Sequence, residues 1–207
     1  MAPTLEEMLA PGQVALLTME LQRGVIGDLT PFPELAAAAD RVGVVGAATE
    51  LARAARVASV PVIHCTAEFR RDRAGTAVNC MLVGAALRNP DHLVTGTPSA
   101  ELAPGIGPEP ADLVCPRLSG VSPFAGTPLD TWLRNLGVRT VVATGVSVNL
   151  GVLGLAIEAV NLGYQVVAVR DAVAGIPADY AEAVLDNTFP LISTPTTTAD
   201  VLDIWAR

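Results

Sequence analysis

The sequence predicts an α/β protein, a three-layer α/β/α sandwich around a six-stranded parallel sheet of Rossmann-like type. Three observations carry that expectation. Short apolar runs recur at residues 14–19, 61–66, 112–117, 140–146, 165–170 and 191–194, each the length of a buried strand and rich in β-branched residues. Segments of helical composition separate them, and strands alternating with helices give parallel sheets joined by right-handed crossovers. Polar or glycine-bearing turns follow several of the runs at once, and that is the sheet edge at which ligands bind.

The first strand, 14–19, leads into Glu20, Gln22 and Arg23, with Gly24 and Gly27 as breakers. Residues 34–57 are Ala-rich with apolar positions at helical spacing, and Arg53 and Arg56 sit near the end, where cations suit the helix dipole; one crossover helix is expected. The second strand, 61–66, contains His64 and Cys65 and is left by the charged run 68–73. A short helix is expected around 81–87, and residues 89–110, rich in Pro and Gly, read as a long surface loop that covers a site or meets a neighbouring subunit. The third strand, 112–117, ends on Arg117, and a helix follows over 127–136 with Gly137 as its stop. After the fourth strand and its helix, closed by Gly163, come the fifth strand, a helix over 177–188 with Pro177 in its first turn, the sixth strand over 191–194 and a terminal helix over 199–206.

Composition narrows the function classes. A chain of 207 residues, 51% hydrophobic and 16% charged, has the makings of one substantial core, so one domain over 1–207 is expected. A net charge of −8 argues against binding nucleic acid or an anionic membrane through bulk electrostatics, and an anionic substrate would need local Arg. Residues 1–7 hold two acids and no basic segment leading into an apolar one, so no secretory signal is expected and the cytoplasm is the expected compartment. The longest uncharged apolar stretch, 140–157, is interrupted by Ser147, Asn149 and glycines and falls short of a membrane span. Three cysteines form no paired framework, and two histidines without CxxC spacing make no recognisable metal site, so neither metal nor cofactor is expected.

The turn after the fourth strand is the focal stretch. Residues 144–154 (Thr-Gly-Val-Ser-Val-Asn-Leu-Gly-Val-Leu-Gly) run from strand end to helix start, where free backbone amides favour negative charge. No Ser, Cys or Thr occupies the first turn of that helix; Gly151 stands there. Ser147, Asn149, Leu150 and Gly151 are therefore candidate substrate-binding positions rather than nucleophiles, and Ser147 and Asn149 also suit plain turn and cap roles.

Four runs now carry a resemblance: 15–22 (Ala-Leu-Leu-Thr-Met-Glu-Leu-Gln), 124–129 (Phe-Ala-Gly-Thr-Pro-Leu), 133–149 and 163–172 (Gly-Tyr-Gln-Val-Val-Ala-Val-Arg-Asp-Ala). In this order the chain resembles the isochorismatase-like hydrolases, or cysteine hydrolases, which include nicotinamidases, carbamoylases and isochorismatases. The resemblance implies an Asp after strand one, a Lys after strand three and a Cys at the helix start after strand four, with backbone amides there as an oxyanion hole. Here the Asp position holds Glu20, the Lys position falls on Arg117 or on Cys115, and the Cys position holds Gly151. Without a side chain at 151, no thioester can form there. The resemblance to the branch that cleaves isochorismate, an enol ether, implies chemistry without Cys, with an acid as proton donor beside a cation. It further implies a non-proline cis peptide at Val146-Ser147, and assembly as a dimer or tetramer.

Glu20 and Arg117 are thus the candidate catalytic pair. A carboxylate directly after an apolar strand is costly to bury without purpose, while a guanidinium holds an anion better than it shuttles protons. Cys115 shares a strand face with Arg117, so a relocated thiol competes with the reading of a buried structural Cys. His64 and Cys65 read as strand residues, and Glu68, Phe69, Arg71 and Arg73 as a solvated loop or a pocket rim. Two functions remain: a hydrolase of a small, anionic molecule using Glu20 as general acid or base, and a catalytically silent relative that binds a small ligand or a protein partner.

Overall fold

The computed structural model describes residues 3–207. Six strands, β1 (Val14–Met19), β2 (Val62–Ala67), β3 (Leu113–Arg117), β4 (Thr140–Val146), β5 (Gln165–Ala174) and β6 (Thr194–Thr196), form one sheet in the order β3-β2-β1-β4-β5-β6. Every pairing is parallel. The predicted α/β architecture is therefore the observed one.

Helices cover both faces. Because side chains alternate along β1, Val14 and Leu16 enter one core cluster while Ala15, Leu17 and Met19 enter the other. The first cluster is closed by α2 (Pro33–Val42), α3 (Val44–Val57) and α9 (Thr198–Trp205), and the second by α5 (Leu129–Asn135), α6 (Gly151–Asn161) and α7 (Ala178–Asn187), while α1 (Leu5–Met8), α4 (Met81–Ala86) and α8 (Phe189–Ile192) are short helical segments. All six residues of β1 and all seven of β4 are buried. The chain winds outward from β1 in one direction and from β4 in the other, and the crevice beyond the carboxyl ends of those two strands is the topological switch point.

Three expectations are corrected. Residues 34–57 form two helices, since Gly43 adopts φ 79°, donates its N–H to Ala39 and Asp40 and so terminates the first. The sixth strand starts at Thr194 rather than 191, because Pro190 opens a helical turn over Phe189–Ile192 and register with Val167, Ala168 and Val169 begins at Thr194 and runs through Pro195 to Thr196. β5 continues to Ala174 past a register shift, from Ala143 opposite Ala168 to Gly145 opposite Val173. That irregularity lifts Asp171 out to accept hydrogen bonds from the N–H and hydroxyl of Thr198. A capped single turn, Leu5–Met8, escaped the sequence pattern.

A buried polar chain crosses the sheet at its β1–β2–β3 side. Thr18 Oγ1 lies 2.8 Å from His64 Nδ1, and His64 Nε2 lies 3.3 Å from Asp112 Oδ2. Arg56 grips that carboxylate with Nε at 3.1 Å and Nη2 at 2.6 Å. Burial pushes the pKa of His64 down, partly offset by Asp112. Desolvation would raise that of Asp112, but Arg56, the Glu109 amide and His64 together hold its carboxyl below the ordinary range.

The sign of the resulting pH dependence is definite. The unfolded chain takes up protons on His64 as pH falls through the ordinary 6.5, whereas the folded chain resists, so stability is lost on acidification. His92 is depressed in the same direction. The melting temperature is therefore expected to drop between about pH 7 and about pH 5.5. A His64→Asn variant, less stable throughout, should show a shallower drop in the same thermal-denaturation series.

Candidate functional site

Three strand ends meet at the switch point. Beyond β1 the backbone turns at Glu20, whose φ is 52° and whose N–H donates to Cys65 O at 2.9 Å. A left-handed conformation costs a non-glycine residue roughly 1–2 kcal/mol, and such strain clusters at functional sites. At the end of β3, Arg117 donates from Nη2 to Glu20 Oε1 and from Nε to Gly120 O at 3.2 Å. Their side chains are 7% and 16% exposed for Arg117 and Glu20, so the ion pair is largely desolvated. Arg117 Nη1 is shielded and has no partner among the described residues.

After β4 the Val146-Ser147 peptide is cis, as the resemblance implied. The amides of Leu150 and Val152 both donate to Ser147 O, at 3.1 and 3.0 Å. Those of Asn149 and Gly151 have no acceptor among the described residues. Asn149 Nδ2 donates to Ile176 O at 3.0 Å, while its Oδ1 is buried with no partner among the described residues. Glu20, Arg117, Ser147, Asn149 and Leu150 line a cavity of about 170 Å³, with an apolar wall that includes Val25, Leu35 and Phe69.

Five of the six predicted site residues, Glu20, Arg117, Ser147, Asn149 and Leu150, thus line one cavity, with Leu150 half-exposed at its edge. Gly151 lies behind the lining. A Cβ built there would sit 3.1 Å from Met19 Cε and 3.2 Å from Val146 O. The Met19 side chain fills the room that a side chain at 151 would use. Cys115 does not reach the cavity; it packs with Leu129 and Leu133 in the core under α5, where burial pushes its thiol pKa up against weaker pulls from Thr127 and Leu129. Cys65 is likewise buried, with its pKa raised.

The charged run after β2 divides. Phe69 lines the cavity, Arg71 pairs with Asp91 at the surface, Glu68 binds Thr66, and Arg73 lies over the Phe69 ring. Two residues carry more than the sequence indicated. Gln22 is fully buried and braces the site: its Oε1 accepts from Ala67 N, and its Nε2 donates to Ala67 O and Ala100 O. His92, inside the Pro-rich loop, lines the cavity. A polar residue three positions past a strand, and one of only two histidines in the chain, were the sole signals available. Among the described residues no three His, Cys, Asp or Glu side chains converge on one point.

A six-stranded parallel sheet with a carboxylate–guanidinium pair desolvated at its switch point places the chain among the α/β proteins with a cavity at that edge, and comparison with known proteins gives the family. Residues 14–200 match the isochorismatase domain model. The cysteine hydrolase from Pseudomonas syringae pv. phaseolicola superposes with a TM-score of 0.84 at 25% identity, covering 99% of this chain and 98% of that one. The uncharacterized isochorismatase family protein YwoC of Bacillus subtilis is 39% identical over 105 residues, 50% of this chain and 54% of the relative. Ureidoacrylate amidohydrolase RutB of Methylorubrum extorquens is 39% identical over 90 residues, 42% of this chain and 35% of the relative. The chain thus spans about half the length of the first curated relative it matches and about a third of the second. This chain belongs to the isochorismatase family within the cysteine hydrolase superfamily.

The packing of Met19 on Gly151 is testable as a coupling. Gly151→Ala should destabilise the protein less in a Met19→Ala background than in the wild type. A double-mutant cycle by urea unfolding is expected to give a coupling of about 0.5–1 kcal/mol; additivity would mean that Met19 does not fill the space.

Proposed function

We propose that the chain acts as a single isochorismatase-family hydrolase domain that cleaves a small molecule by acid–base chemistry without a cysteine nucleophile. The observation that carries this reading is the desolvated Glu20–Arg117 pair on the floor of the cavity. Glu20 is the general acid or base. Its strained backbone aims the carboxyl from the strand end, and proton transfer from a positioned side chain accounts for about 10²–10⁴-fold in rate. Arg117 steadies that carboxyl and keeps Nη1 for an acceptor oxygen of the substrate, which favours an anionic head. The free amides of Asn149 and Gly151 suit negative charge that develops during reaction. Nothing in this scheme needs a thiol: Gly151 has no side chain, and Cys65 and Cys115 are buried away from the lining. A cytoplasmic location and a dimeric or tetrameric assembly complete the proposal.

The ion pair itself also favours a second reading. A carboxylate tied to a guanidinium is well placed to hold a ligand and poorly placed to give up or take a proton, as in a catalytically silent relative that binds a small molecule or a protein.

Isochorismate, nicotinamide and N-carbamoyl amino acids form the substrate panel. Turnover of one of them is expected to fall about 10²–10⁴-fold in Glu20→Gln and to survive Cys115→Ser. Ligand-induced thermal stabilisation with no turnover would select the silent relative. Activity that needs Cys115 but tolerates Glu20→Gln would sink both readings.

A further inference from the structure

The cavity wall that includes Phe32, Phe69 and Leu93 is apolar except for His92. Only 2% of His92 is exposed, and neither ring nitrogen has a hydrogen-bond partner among the described residues. Its ring stands edge-on to Phe32, with centroids 5.8 Å apart at 76°. Each buried group left unsatisfied costs about 1–3 kcal/mol, and a Leu or Phe would fill the same space without that cost. Packing does not account for a histidine here. Burial and the nearby Arg73 charge push the His92 pKa down, so the ring is neutral and offers one donor and one acceptor.

The backbone on both sides of His92 is fixed. Arg73 has no carboxylate partner among the described residues. It donates instead to three carbonyls of this loop, Pro90 O at 2.7 Å, Asn89 O at 3.3 Å and His92 O at 3.4 Å, with its guanidinium 5.3 Å from the Phe69 ring centre. Leu93 donates its N–H to Ser99 Oγ at 3.0 Å and accepts from Phe69 N at 2.7 Å. Both Arg73 (φ 57°) and Leu93 (φ 50°) hold the left-handed conformation that Glu20 also adopts. Strain on a bulky residue persists only where its surroundings impose it.

We propose that His92 is a specificity-determining residue of this cavity, selecting ligands that carry a neutral hydroxyl or carbonyl on a compact apolar body whose other end meets Glu20 and Arg117. Arg73 is a positioning residue that clamps the loop on which His92 stands. The inference rests on reading this cavity as the substrate site, but it concerns recognition and not turnover.

Binding of benzoate and benzamide is compared with that of their 3- and 4-hydroxy derivatives by calorimetry and thermal shift. At least one hydroxylated probe should bind the wild type about tenfold more tightly than its parent, the worth of one hydrogen bond. His92→Leu should abolish that preference and raise Tm by removing unpartnered polar atoms, while His92→Gln keeps part of the preference. If His92→Leu does not fold, His92→Phe takes its place. Absence of binding by every probe, equal binding within each pair, a preference that survives the apolar variants, or a Tm lowered by them would overturn the proposal. The hydroxyl preference is read from binding alone, while turnover of the substrate panel is assayed separately in the wild type and in His92→Leu, which separates failure here from failure of the acid–base chemistry.

Discussion

A carboxylate and a guanidinium pressed together at the base of an apolar cavity is the interaction on which the rest of the site depends. Neither Glu20 nor Arg117 could remain so buried alone, because desolvating an unpaired charge costs several kcal/mol. The pair also joins distant parts of the sheet, since Glu20 leaves β1 and Arg117 leaves β3 with β2 between them. Gln22 repeats that logic one turn further on, tying the end of β2 and the 97–103 loop to the chain after β1. Polar groups thus fix the carboxyl edge of the sheet, where hydrophobic packing gives little direction.

Position 151 illustrates how a site and its core are traded against each other. Gly151 lets α6 begin close beneath β1, and Met19, an adaptable side chain, occupies the adjoining space. The turn then presents backbone amides rather than a side chain. Under the proposed function chemistry in this cavity comes from Glu20 and its neighbours, so the two readings divide on the proton and not on a nucleophile.

The backbone strain has a pattern. Among the described residues, Glu20, Arg73 and Leu93 are three of the four non-glycine residues with positive φ, and all three lie at the cavity or on side chains that line it. The fourth, Ser59, is in the turn between α3 and β2. Stability spent on these conformations holds a carboxyl, a loop and a histidine in fixed places around a small volume.

The sequence by itself determined the layer architecture, because apolar runs of strand length alternate with helical segments and that pattern has few parallel solutions. It also located Glu20, Arg117 and the 147–150 turn, since polar residues placed straight after buried strands must emerge at one sheet edge. It did not show the break at Gly43, the start of β6 at Thr194 or the extension of β5, where single backbone conformations and register outweigh composition. The wall of the cavity was legible least of all. His92 sits in a loop without periodicity, and only the fold brings it beside Phe32 and clamps it with Arg73. Local pattern decides what a segment becomes, but which side chains share a cavity depends on contacts between segments far apart in the chain, and only the tertiary structure decides those.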